Sequence, residues 1–165
     1  MSRLLRLVSR DLLLCGLTIW LWLQVLHPAT PEASKLLQTF AGLMTVLLGY
    51  LLHEWGHLSG AWFSGSAVHL PDGALTSPFL FRFDTGLNSP RQFLAMSMGG
   101  FVASAVVVAA LIVLLPLHIL AGQLALGLTA LGVLATFVLE LPPAWRVYRG
   151  GPMPGGVAFV HSEEH

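Results

Sequence analysis

Two histidines and a glutamate, His53, Glu54 and His57, fall within five residues of one another in the otherwise apolar segment YLLHEWGHLSGAW, residues 50–62. Residues four apart project from one side of an α-helix, one turn above the other. His53 and His57 can therefore aim two imidazoles at a single metal ion. Glu54 lies beside His53 on the same surface, where it can hold a water molecule and accept its proton. This is the H-E-x-x-H arrangement of zinc peptidases, in which the histidines bind Zn2+ and the glutamate is general base for attack on a carbonyl. A purely structural alternative is a polar patch that hydrogen-bonds neighbouring helices. Polar groups of this kind cost a few kcal/mol each at membrane depth unless paired or bound, and all three here fit one chemical purpose.

Composition defines the setting that must position these groups. Of 165 residues, 55% are hydrophobic and 10% charged, and the mean hydropathy is +0.76. An integral membrane protein is expected, with room for one small bundle, since each span takes about 20 residues. The balanced charge offers no basic face, so nucleic-acid binding is set aside. Cys15 is the only cysteine, which excludes a disulfide within the chain.

Four apolar segments stand out, at 12–26, 36–63, 92–115 and 119–141. The expected fold is all-α, a bundle of four transmembrane helices forming a single domain. The first segment follows Arg3, Arg6 and Arg10, which is also how a secretory signal opens, but no convincing small-x-small cleavage site follows it. An uncleaved helix is the favoured reading. Only Pro116 to His118 separate the last two segments, so they should form a tight antiparallel hairpin. Four spans put the N-terminus, a 64–91 loop and a 142–165 tail on one side, together with Arg3, Arg6, Arg10, Arg82, Arg91, Arg146 and Arg149, against Lys35 alone on the other. Cations are retained in the cytoplasm, so both termini are expected there.

A catalytic zinc wants a third protein ligand and an open position. Glu140 is the only acidic residue in the three other segments, and this topology places it at the depth of His57. It is the expected third ligand. The alternative is an interfacial carboxylate paired with Arg146. Pro142 and Pro143 are expected to end the helix just beyond it.

At these residues the chain resembles the site-2 protease family of intramembrane zinc metalloproteases, over its second to fourth spans. The resemblance implies that His53 and His57 match the family's histidine ligands, that Glu54 matches the catalytic base, and that Glu140 stands where the family has an aspartate. The segment MGGFVAS, residues 98–104, is similar to the family's small-residue segment, without its usual Pro and Asn. On the residues alone, Gly99, Gly100, Ala103 and Ser104 read as close helix packing.

Between the second and third spans, LPDGAL has turn chemistry at Pro71, Asp72 and Gly73, and Phe79, Phe81 and Phe83 alternate in FLFRF. A small β-hairpin is one reading, and an interfacial loop anchored by the three phenylalanines is the other. In the resembling family such a segment offers an edge to the unwound substrate, which would make Phe79, Phe81 and Phe83 substrate-binding. His69 and Asp84 are further polar contacts here, and Ser89 with Pro90 reads as a helix start. His27 and His118 fall in outward-facing turns, too distant in depth to be ligands.

The expected function is a zinc metalloprotease that cleaves a transmembrane protein substrate near the cytoplasmic face of the lipid bilayer, with the resemblance favouring a bacterial inner membrane. The competing class is a non-catalytic pseudoprotease or a helix-bundle interaction protein.

Overall fold

The Ser2 hydroxyl accepts a hydrogen bond from the Leu5 amide (3.2 Å) and so opens helix α1, Arg3–Leu26. In this computed structural model, which describes residues 2–27, 31–73 and 76–162, three more helices follow: α2, Pro31–Phe63; α3, Pro90–Leu114; and α4, Leu120–Tyr148. Three strands complete the chain, β1 at Val68–His69, β2 at Arg82–Asp84 and β3 at Phe159–Val160. Ala74 and Leu75 of the expected turn, and the end of the expected 142–165 tail, lie outside the described residues.

Helices α2 (from Lys35), α3 and α4 are long and apolar enough to cross a membrane. The expected span 12–26 is only the latter part of α1. The helix begins earlier because its first turns are amphipathic, with Leu7 buried at 1% exposure while Arg3 and Arg6 face outward. α4 corrects a second expectation. Pro142 and Pro143 do not end it; the helix runs on to Tyr148. Proline lacks an N–H, so the carbonyls of Val138 and Leu139 lose their usual donors, but Ala144 (6% exposed) and Val147 (3%) are packed in the core and carry the helix on.

α2 is the central helix and packs on α1, α3 and α4. It ends in a Schellman motif at Gly65 (φ 68°), where the Ser66 amide donates to Ala61 and the Gly65 amide to Trp62. The Gln92 side chain donates to the carbonyls of Ser64 and Gly65 (3.2 and 3.1 Å) while also completing a capping box with Ser89 at the start of α3, which has Pro90 in its first turn. One side chain therefore joins the end of α2 to the start of α3.

The expected hairpin exists in shorter form. β1 pairs antiparallel with β2, with Val68 opposite Phe83, but the strand begins at Arg82, so Phe79 and Phe81 precede it. β3, not foreseen, comes from beyond α4 and pairs parallel with β2, Phe83 opposite Phe159. Asn88 extends this small sheet by mimicking a strand: its amide exchanges two 2.7 Å hydrogen bonds with the backbone of Ala67. At the same end of the bundle, Arg3 of α1 pairs with Asp72 at 2.6 Å. The start of α1, the α2–α3 connection and the segment after α4 thus meet at one end.

Asp84 is the buried centre of that junction (0% exposed). It accepts from His69 (2.8 Å), from the Ser162 hydroxyl and amide, and from the amides of Gly86 and Leu87. Burial by itself would raise its pKa; the bonds from Ser162, His69 and the Leu87 amide outweigh it and hold the carboxyl well below the usual carboxylate range. Because the folded pKa is depressed, the stability it contributes is complete above the unfolded value of about 3.9 and is lost as pH falls through the folded value. Docking of β3 should persist down to about pH 4, whereas Asp84→Ala should release it at neutral pH, at a cost of about 3 kcal/mol. Amide exchange at Phe159 to Ser162 reads both, and wild-type protection in Asp84→Ala would refute this role.

α2 and α3 approach almost backbone to backbone. A Cβ on Gly56 would run into the Gly99 carbonyl and the Ala103 side chain, and one on Gly99 into the Gly56 carbonyl. Gly56→Ala should therefore destabilise the bundle by about 3 kcal/mol through overpacking. Gly49→Ala, whose Cβ would meet Val107 and Thr129 at ordinary distances of 3.4 and 3.5 Å, should change stability by less than about 1 kcal/mol. Equal melting shifts for the two variants would show that the contact is not limiting.

Candidate metal centre

The close approach of α3 is what orients the two imidazoles. His53 Nδ1 lies 3.1 Å from the Gly100 carbonyl and 2.9 Å from the Ser104 hydroxyl, and His57 Nδ1 lies 3.0 Å from the Met96 carbonyl. Met96 and Gly100 are four residues apart on α3, matching the spacing of His53 and His57 on α2. A carbonyl can only accept, so both Nδ1 atoms carry hydrogen, and in the neutral rings this leaves both Nε2 atoms with lone pairs. Gly100 must be glycine here, because any Cβ would occupy the His57 ring position. The small-residue segment of α3 therefore does more than pack.

From α4, Glu140 reaches both rings, with Oε1 3.3 Å from His53 Nε2 and Oε2 3.1 Å from His57 Nε2. The two Nε2 atoms are themselves 3.0 Å apart, with the rings crossed at 82°. Two lone-pair nitrogens and a carboxylate converging in this way repel one another unless a proton or a metal cation lies between them. Ligand atoms about 2.0–2.1 Å from a tetrahedral zinc are separated from one another by about 3.3 Å. The nitrogens at 3.0 Å, with one carboxylate oxygen at 3.3 Å from His53 and the other at 3.1 Å from His57, come close to that spacing, and two imidazoles with one monodentate carboxylate would leave a fourth position open. Among the described residues, the ligand atoms of His53, His57 and Glu140 form a group within 4.8 Å that could hold a metal ion. Glu140 pairs with these imidazoles and not with Arg146, which is exposed.

Glu54 is 7% exposed and turned toward the α2–α3 connection, where its Oε2 accepts from the Leu80 amide at 3.0 Å. Among the described residues no hydrogen bond is made to its Oε1. A cavity of about 290 Å³ opens here, lined by Glu54, His57 and Glu140 together with Phe79, Phe81 and Phe83. The three phenylalanines singled out by alternation thus share one cavity, although only Phe83 lies in a strand. His69 belongs to the Asp84 junction, not to this site.

Some supporting residues had no signal in the local pattern. Asp11 of α1 accepts from the Trp55 indole (2.7 Å) and pairs with Arg10 (2.6 Å), so α1 steadies the residue next to Glu54. Tyr50 donates to the Pro78 carbonyl (2.7 Å) and holds the connection over the cavity. A carboxylate at the charged start of an apolar helix, with a tryptophan inside the motif, is the pairing that sequence could have suggested.

No protein-family model matches the chain, and neither the curated proteins nor the solved structures provide a significant match.

If the three groups form one centre, the purified protein should carry about one metal ion per chain, and His57→Ala and Glu140→Ala should each reduce it to less than about a tenth. Ser104→Ala, which removes only an orienting contact, should weaken affinity about tenfold. Elemental analysis with a chelator titration measures these effects, and full retention in Glu140→Ala would remove that carboxylate from the centre.

Proposed function

We propose that the protein is an intramembrane zinc metalloprotease that hydrolyses a peptide bond of a membrane-embedded substrate near the cytoplasmic face. The observation that carries this reading is the meeting of His53 and His57 on α2 with Glu140 on α4, beside a cavity that Glu54 also lines. α1 would be a fourth span, with both termini cytoplasmic. Support for this comes from the junction at one end of the bundle, which collects the start of α1, the α2–α3 connection and the segment after α4.

Bound zinc would supply Lewis acidity, bringing the pKa of its water toward about 7 and polarising the scissile carbonyl. Glu54 takes the proton from the attacking water and returns it to the departing amine as the C–N bond breaks. The Leu80 amide holds one carboxylate oxygen of Glu54, which orients the other for that transfer. Gly100, Ser104 and Met96 keep the two imidazoles in the tautomer that leaves Nε2 for the metal. The apolar cavity wall excludes bulk water from the reacting carbonyl.

Glu54→Gln keeps the shape and the Leu80 contact but removes the base. It should retain metal and lower the cleavage rate of single-span substrates in proteoliposomes by at least about 100-fold. Wild-type protein that binds metal and cleaves no member of a substrate panel would favour the non-catalytic bundle instead.

A further inference from the structure

The cavity beside Glu54, His57 and Glu140 is much more apolar than base catalysis requires. Its apolar lining draws on three separate parts of the chain: Phe79, Phe81 and Phe83 from the connection and β2, Phe93 and Met96 from α3, and Phe159 from β3. Phe93 is the shared partner, with its ring 6.0 Å from Phe83 at 70° and 6.1 Å from Phe159 at 49°. Ser97 also lines the space, but its hydroxyl is spent on the Phe93 carbonyl at 3.0 Å. Glu54, His57 and Glu140 are thus outnumbered in the lining by aromatic and aliphatic side chains.

A peptide held with a carbonyl beside Glu54, His57 and Glu140 brings a neighbouring side chain within the same aromatic-lined cavity. An apolar cavity of about 150 Å³ already holds benzene, so about 290 Å³ accommodates a phenylalanine, leucine or methionine side chain and leaves a methyl group with most of the space empty. Rings at centroid separations near 6 Å also suit the edge-to-face contacts that aromatic groups favour.

We propose that this cavity is a specificity pocket for a bulky apolar side chain, aromatic first, on the residue flanking the scissile bond. The inference rests on the proteolytic reading of the same site and adds a substrate class to it. In an apolar membrane segment nearly every residue is hydrophobic, so size and shape are what the pocket can discriminate. The pocket would therefore select which bond of a spanning helix is cut, passing over alanine, glycine and serine.

Two peptidyl hydroxamates, identical except for a benzyl or a methyl side chain next to the metal-binding group, test this by binding alone. Titrated into the zinc-loaded full chain in detergent, the benzyl compound should bind about 30-fold more tightly. Ser97→Leu, which places a branched side chain in the cavity, should bring that ratio close to one by weakening the benzyl compound only. Phe159→Ala, in β3, should widen the pocket and raise the relative affinity of a naphthylmethyl analogue. Equal affinity for benzyl and methyl in the wild type overturns the pocket while leaving the metal site intact. A benzyl preference unchanged in Ser97→Leu also overturns it, because the side chain would then lie elsewhere. Failure of a folded, zinc-loaded protein to bind either compound overturns the protease reading itself, and the pocket with it.

Discussion

The distance between α2 and α3 governs the rest of the molecule. Gly56 and Gly99 bring the two backbones together, and only then can the carbonyls of Met96 and Gly100 reach the imidazoles of His57 and His53. Those contacts hold hydrogen on each Nδ1 and turn both Nε2 atoms toward Glu140. A methyl group added on this seam would press the helices apart, and the imidazoles would lose their orienting partners before any ligand was touched. Packing and chemistry are therefore one constraint here, carried by residues with almost no side chain.

The polar groups are arranged to limit the cost of placing them among apolar helices. His53, Glu54 and His57 are each less than a tenth exposed, yet each has a partner from another part of the chain. Buried polar groups without partners are costly, so the α2–α3 connection has a structural task as well as any role toward substrate. It supplies Leu80 to Glu54, and it is itself held by Tyr50 from α2, by Arg3 from α1 and by the Asp84 junction. The segment after α4 locks that junction by adding β3 and Ser162, which also places Phe159 in the wall of the cavity. All four helices thus contribute to the site, although only α2 and α4 carry the convergent histidines and glutamate.

Features with a short repeat were readable before the structure. The four-residue spacing of His53 and His57 needs only helical geometry, the apolar segments need only length and hydropathy, and Ser89-Pro90 with Gln92 is a local helix start. The depth match of His57 and Glu140 followed from counting spans, and the two side chains do meet. Other features were misjudged for reasons equally physical. Pro142 and Pro143 are local helix breakers, but packing of Ala144 and Val147 overrides them. The charges at the start of α1 read only as flanking the apolar segment 12–26, whereas they belong to the same helix, from which Leu7 docks in the core and Asp11 reaches Trp55.

Local chemistry therefore settled which residues could act and on which helical face they stand, because backbone geometry and hydropathy operate within a few residues. The three-dimensional structure decided the partners: the Met96 and Gly100 carbonyls behind the histidines, the Leu80 amide on Glu54, β3 alongside β2, and the aromatic residues that share a cavity with His57 and Glu140. Each of these joins residues from different elements, separated by more than twenty positions in sequence. No local periodicity encodes such a register; it emerges only when close packing of the helices selects one arrangement from many.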